Sequence, residues 1–545
     1  MSKRFFKNAL IMALSFLMVF SLISIHDVHA ASGSSIDNPI SITTGTNYSA
    51  SLDNSTIYYT YTLSTSGTLK FTIENSAVLR IYVYDCDKNE VYESYYIKSS
   101  VTTNTEEVVL TSGQYYIGMS SYSDPSISFK ITFTSAGESF KETTGGINNT
   151  IKTASTIKTG TTYKGQIAVN DDVDLYKITL STSGLVTITE EQDVSRLNYI
   201  VYKVVDGEVQ TLISENSLKS GDTTNKISGY WNSGTYYISF GQYSSCYGNY
   251  SFKVSFTSSG ESFKEVAGGS NNSRSSANKI SLNTTYKGVI AKDDDEDYYK
   301  FTVSKKTSIT IKVTATSIDE VGAYLLNSEG TELASCGADY SYSGTCTYTL
   351  SKGTYYLLIN DSSAGWIYQG NYSFKITNSL SSATLSTTTY TYNGKTKTPS
   401  VTVKNGAGTT LTKGTDYTVS YASGRKSIGS YKVTIKGTGE YTGTITKTIK
   451  INPKKVTISK AKSSSKKKLT VKWKKVSGSV KYKIAYRVKG TSTWKYKYVS
   501  SSTYSKTLTG LKSGKTYQVR VRAYKKVSGT TYYGSWSSIK TVKVK

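Results

Sequence analysis

Histidine is almost missing from this chain of 545 residues: there are two, His26 and His29, and both lie in the first 30 positions. Beyond residue 30 there is no imidazole, which excludes Ser-His-Asp and Cys-His nucleophilic sites and histidine-ligated zinc from that part. Proline is scarce as well, four residues against 48 Tyr and 43 Gly with abundant Ser and Thr. That balance favours pleated sheet with tight turns, and nothing after residue 30 sustains a helical period. Acidic side chains vanish at one end: residues 454–545 hold 26 Lys+Arg and no Asp or Glu. Cysteine is limited to four. Cys336 and Cys346 flank a hairpin-like turn between two strand-like segments and are candidates for a local staple in an oxidising compartment. Cys86 and Cys246 are single in their surroundings and are expected as buried free thiols.

What is present begins with a secretion signal. Lys3, Arg4 and Lys7 form its charged region, residues 9–25 its apolar run, and Val28-His29-Ala30 its cleavage site. The competing reading, an uncleaved anchor, meets an apolar run that is short for a membrane span. The mature chain is expected to start near Ala31, with no later membrane span, and to be released or held non-covalently at the cell wall.

Length alone points to several domains. The segment Asp171-Asp172-Val173-Asp174-Leu175-Tyr176-Lys177-Ile178-Thr179-Leu180 returns 123 positions later around Tyr299, as Asp293-Asp294-Asp295-Glu296-Asp297-Tyr298-Tyr299-Lys300-Phe301-Thr302-Val303. A weaker copy, Ile57-Tyr58-Tyr59-Thr60-Tyr61-Thr62-Leu63, lies upstream. Aligned on Tyr59, Tyr176 and Tyr299, all three alternate apolar and polar residues, which predicts a half-buried strand. Near-duplicate connectors, Gly137-Glu138-Ser139-Phe140-Lys141-Glu142 and Gly260-Glu261-Ser262-Phe263-Lys264-Glu265, introduce the second and third copies, and each is followed by Gly-Gly and Asn-Asn. Every copy also has a late Gly-x-Tyr-Tyr strand and closes on Ser-Phe-Lys, at 128–130, 251–253 and 373–375. This spacing predicts one β-sandwich per copy.

The Asp-rich turn, the strand behind it and the Gly-x-Tyr-Tyr strand resemble bacterial pre-peptidase C-terminal domains, over roughly residues 31–378. The resemblance implies a non-catalytic appendage, sometimes calcium-stabilised. Asp293, Asp295 and Asp297 could offer several oxygens to calcium from one loop. The competing reading is a turn whose carboxylates cap backbone amides. Residues 379–453, with Asn393-Gly394, Asn405-Gly406 and Gly414-Thr415-Asp416-Tyr417, resemble a bacterial Ig-like module and imply a spacer. Residues 454–545 resemble a fibronectin type III domain, with Trp473 in an early strand and a tyrosine corner at Leu511 to Tyr517. The fold expected is all-β, a tandem array of five β-sandwich modules after a cleaved signal peptide: 31–136, 137–258, 259–378, 379–453 and 454–545.

Charge divides along the same lines. Residues 31–378 hold 26 Lys+Arg and 35 Asp+Glu, and residues 379–453 hold ten and two. In the last module, strand alternation puts Lys481, Lys483, Arg487, Arg520, Arg522, Lys543 and Lys545 on the outside. With no acid present to relieve this charge, an external polyanion is the expected partner: an anionic cell-wall polymer or polysaccharide. The competing reading is a lysine-rich face that only solubilises. Nothing resembles a nucleic-acid-reading fold, so no sequence-specific nucleic acid is expected. Two functions follow. One is a non-catalytic adhesive protein whose acidic copies bind a host or matrix protein or a glycan. The other is a carbohydrate-binding or glycoside-active protein, which would need two carboxylates facing one cleft. Trp231 and Trp366 are candidates for stacking on sugars or protein, the competing reading being that they belong to the core.

Overall fold

The structure, a computed structural model, describes residues 26–27, 33–98, 103–123, 125–141, 146–219, 225–292, 294–318, 321–337, 343–361, 369–478 and 480–545. These residues form strands and turns and no helix, in a tandem all-β array of sandwiches. The chain divides into two compact units, Met1–Asn272 with Lys287–Asp297 and Ser363–Tyr372, and Ser273–Tyr286 with Tyr298–Ser362 and Ser373–Lys545. Of the expected signal only His26–Asp27 is described, as a strand lying parallel to Asn47–Ser51.

One strand plan occurs three times. In the first copy a sheet runs Ile40–Ser41, Ile57–Leu63, Gly113–Ser120, Arg80–Tyr84, Glu90–Glu93. The second copy runs Ser155–Thr156, Val173–Leu180, Gly234–Gln242, Arg196–Val205, Glu208–Lys219. The third runs Asn278–Lys279, Glu296–Val303, Gly353–Asn360, Gly322–Leu326, Glu332–Ser335. The facing sheet of the second copy has the order Thr162–Ile167, Gly248–Ser258, Gly184–Gln192, Asn225–Trp231, and the other two copies repeat it.

The repeated residues account for the repeated plan. Tyr59, Tyr176 and Tyr299 are 0%, 1% and 1% exposed, and each packs on the phenylalanine of the closing Ser-Phe-Lys strand. Ring centroids are 5.0 Å apart for Tyr59–Phe129 and 4.6 Å for both Tyr176–Phe252 and Tyr299–Phe374. A second tyrosine closes the turn into the facing sheet. The hydroxyls of Tyr48, Tyr163 and Tyr286 each accept a hydrogen bond of 2.9 Å from the amide five residues upstream. Those turns need a left-handed residue, which Gly45, Gly160 and Asn283 supply at φ of 81°, 83° and 68°.

In the second unit, residues 379–453 form a two-stranded and a four-stranded sheet around Val403, Val433, Ile435 and Ile449. Residues 454–545 pair Ile458–Lys462, Leu469–Trp473 and Ser505–Leu508 on one side. The facing sheet has the order Lys495–Val499, Lys481–Val488, Thr516–Val527, Thr530–Tyr533, with Lys540–Lys543 also paired to Thr516–Val527. Trp473 sits in this core against Tyr482, and Tyr517 OH accepts from Lys512 N at 3.0 Å, the expected tyrosine corner. The modules of this unit are joined more closely than separate beads would be. Ile428 is 2% exposed because it packs into the core of residues 454–545. Lys305 pairs with Asp416, and Ser304 Oγ donates to Glu440.

The cysteines depart from expectation in two respects. Cys336 and Cys346 are bonded, but the bond runs between sheets rather than across a hairpin: Cys336 follows Glu332–Ser335, and Cys346 lies in Ser343–Leu350 of the facing sheet. Cys86 is exposed and Cys246 half-buried, because both fall in turns at strand ends rather than on inward strand positions. Tyr517→Phe removes the acceptor of the Lys512 amide and is expected to cost about 1–2 kcal/mol. A lowered denaturation midpoint with faster amide exchange at Lys512 is the expected readout.

Candidate functional site

Three carboxylates meet beside the acidic turn. Oxygen atoms of Glu265, Asp294 and Asp297 lie within 4.8 Å of one another, and all three residues are buried. A tight turn closed by reciprocal bonds between Ala291 and Asp294 delivers Asp294. The strand that follows delivers Asp297 two residues before Tyr299, on the same inward face. The connector supplies Glu265, whose carbonyl accepts from the amide of Ser233 at 3.1 Å. Amide groups complete the shell. Asn232 Nδ2 donates to Asp294 Oδ2 at 2.7 Å, the Tyr372 hydroxyl donates to Asp297, and Asn271 hydrogen-bonds Asp297 as well.

Burial pushes Asp297 up to about 7, aided by the charge of Asp294 and opposed by hydrogen bonds from Glu265, Tyr372 and Asn271. Burial also drives Glu265 far above the ordinary carboxylate range, with Asp297 and Asp294 adding to the effect. Three acids in one dry spot cannot all ionise alone; they hold protons or a cation. The donors suit a hard cation such as calcium, being carboxylate oxygens with no thiolate or imidazole among them. Glu265 Oε2 and Asp297 Oδ1 are buried without a hydrogen-bond partner among the described residues. Gly269, at φ 80°, borders the same spot, and a Cβ there would lie 2.4 Å from Asp294 Oδ1.

The structure brings one of the three expected calcium ligands into this cluster. Asp297 belongs to the cluster, Asp295 is exposed, and Asp293 lies outside the described residues. Asp295 precedes the strand, which begins at Glu296, so the alternation that turns Asp297 inward does not extend to it. Glu265 and Asp294 were the residues missed. The available signal was the connector, where Glu142/Glu265 and the Asn-Asn pairs recur unchanged between copies. The second copy repeats the arrangement with Asp171 and Asp174: Asn149 Nδ2 donates to Asp171 at 2.7 Å and Tyr250 OH to Asp174 at 2.5 Å. Its Glu142 lies outside the described residues. In the first copy the Asp and Tyr positions are Ile57 and Ile127, both buried. All three clustered carboxylates are buried, and Trp231 is 1% exposed against Tyr236. Trp366 lies outside the described residues.

The basic face of residues 454–545 has its own order. Val519, Val521 and Ala523 point inward at 0% exposure, so Arg520 and Arg522 point outward. Lys483 lies opposite Arg522, and Arg487 opposite Gln518. Aromatic rings separate the cations. Arg487 and Arg520 lie 4.4 and 4.2 Å from the ring centroid of Trp494. Arg520 and Arg522 lie 4.5 and 4.4 Å from that of Trp536, and Arg522 is 3.7 Å from Tyr533. Lys483 sits 4.0 Å from Tyr496. Trp536 is held there by its neighbours, since Gly534 N donates to Ala523 O and Ser537 N to Val521 O, both at 2.9 Å. Burial, with Arg487 and Arg522 alongside, pulls Arg520 below the usual arginine range. Of the expected polyanion contacts, Lys481, Lys543 and Lys545 are exposed, whereas Lys483, Arg487, Arg520 and Arg522 are half-buried in the ladder.

Fold and sites together define a tandem all-β protein built from small modules. Two family models match it: the bacterial pre-peptidase C-terminal domain over residues 295–361, and the fibronectin type III domain over residues 452–538. Among solved structures, the pre-peptidase C-terminal domain of a collagenase from Bacillus anthracis is 27% identical, covering 19% of this chain and 99% of that one, with a TM-score of 0.18. A structure described as a myokine is 21% identical over 17% of this chain and 95% of that one, TM-score 0.14. Chicken CNTN1 FN1–FN3 is 15% identical over 45% and 97%, TM-score 0.17. Scores this low carry no argument about function. No curated protein matches the chain. The two matched families fit a secreted or surface protein of non-catalytic modules, and no described helix is long and apolar enough to cross a membrane.

The acid cluster sets a pH dependence. Asp297 has a folded pKa of about 7, raised above the roughly 3.9 of an unfolded aspartate. Its stabilising share is therefore complete below about pH 4 and lost as pH rises through about 7. In chelator, the melting midpoint is expected to fall between pH 5 and pH 8, and calcium at pH 8 to restore it. Glu265→Gln is expected to abolish the calcium response in a melting assay.

Proposed function

We propose that the chain is a secreted, non-catalytic adhesive protein held at a bacterial envelope by its carboxyl-terminal modules. In this reading residues 31–378 are three pre-peptidase C-terminal-like modules that face outward and take an external protein or glycan. Residues 379–453 are an Ig-like spacer, and residues 454–545 are the tether. Calcium, held by Glu265, Asp294 and Asp297 with their amide neighbours, replaces protons in the acid cluster and fixes the connector against the third module. Three weak sites in tandem would gain avidity on a repeating target.

The observation that carries this reading is charge asymmetry. The final 92 residues hold 26 cations and no carboxylate, while residues 31–378 carry an acidic excess. Such a module presents a strong positive field with no acidic side chain of its own, and the anionic polymers of a cell wall are the partner at hand. The outward sites and the tether then sit at opposite ends of the sequence, as an adhesive protein requires.

Full-length mature protein is expected to bind purified bacterial cell walls at low salt and to elute at about 1 M salt, where screening leaves a Debye length of about 3 Å. Retention at that salt contradicts an electrostatic tether. A glycan and matrix-protein array with a hydrolysis readout separates adhesion, which gives capture without product, from glycoside cleavage.

A further inference from the structure

The arginine ladder points to a narrower ligand class than polyanions in general. The Nε–H groups of Arg520 and Arg522 are buried and have no acceptor among the described residues. Arg487 differs, donating Nε–H to Gln518 Oε1 at 2.9 Å. No carboxylate exists anywhere in residues 454–545 to answer these forks. A guanidinium presents a rigid fork that suits the paired oxygens of a phosphate. Rings at both ends of the stack fix the forks in place, so little side-chain entropy remains to be lost on binding.

Spacing and occupancy narrow the choice. Arg520 and Arg522 are successive outward residues of one strand, so their backbone origins lie ~7 Å apart. A chain whose phosphates are separated by a short polyol repeats at a similar distance. Nucleotides and sugar acids bring rings that bind best to a free aromatic face. Each of Trp494 and Trp536 already has two guanidinium groups within 4.5 Å of its centroid, which leaves less ring surface for a base or sugar to stack on. A thin polyol-phosphate chain needs no such face.

We propose that the Arg520–Arg522 ladder, flanked by Trp494 and Trp536, is a binding site for a linear polyol-phosphate polymer, with one phosphate seated on each guanidinium edge. This rests on the tether reading and specifies its ligand. The test uses the full mature chain and poly(glycerol phosphate) as the probe. Arg520→Lys/Arg522→Lys keeps the charge and loses the forks; its affinity is expected to fall at least tenfold. Lys481→Ala/Lys543→Ala/Lys545→Ala removes three charges outside the ladder and is expected to weaken binding less, with a shallower salt slope. Unchanged affinity in the arginine variant, with loss in the lysine variant, overturns the ladder site and leaves the tether standing. No binding by the wild type overturns the tether itself. A second measurement needs no variant: phenylglyoxal labelling of the wild-type chain, read by mass spectrometry, should show Arg520 and Arg522 protected by the polymer, and labelling without protection contradicts the site. Polygalacturonate and single-stranded oligo(dT) of matched charge are expected to compete at least tenfold more weakly; equal competition overturns the polyol-phosphate assignment.

Discussion

Successive residues of a strand point to opposite faces, and this two-residue alternation decides what each part of the molecule can do. In the repeated copies it puts Tyr59, Tyr176 and Tyr299 inside, where they pack on Phe129, Phe252 and Phe374. The same face carries Asp174 and Asp297 inward two residues earlier, into a place where a carboxylate has to find a partner. In the last module the alternation works the other way: Val519 and Val521 fill the core and oblige Arg520 and Arg522 to share one outer face.

Both consequences are electrostatic problems, and each is met locally. The buried acids are answered by amide donors, by tyrosine hydroxyls and by protons or a cation. The outer cations are answered by rings. Like charges on adjacent strands cost some tenths of a kcal/mol per pair. A cation over an aromatic face contributes about 0.5–1 kcal/mol when exposed and more when desolvated. The rings therefore outweigh the repulsion, and the module can fold without any acidic side chain. What the rings leave unmet is a hydrogen-bond acceptor for the Nε–H groups of Arg520 and Arg522 among the described residues.

Much of the fold could be read from the sequence. The copies, their closing strands, the tyrosine corner and the Trp473 strand are all carried by local period and turn residues. The sites were less legible. Asp297 is legible because it lies two residues before the aligned tyrosine, but Glu265 comes from the connector, and only the three-dimensional fold brings it to Asp294. Strand alternation turns the arginines outward, yet Trp494 and Trp536 lie outside the named strands, and Trp536 is held beside them by the backbone bonds of Gly534 and Ser537, which no strand period announces. Ile428 is a similar case: its burial depends on a neighbouring module, which a pattern confined to its own stretch does not show.

If the acid-free, ring-braced face binds envelope phosphate, retention on the wall depends on that phosphate. The full mature chain can be sedimented with bacterial cell walls before and after their phosphate polymers are removed with cold hydrofluoric acid. Binding to intact walls and its loss from the stripped ones is the expected result. Equal sedimentation with both would contradict it.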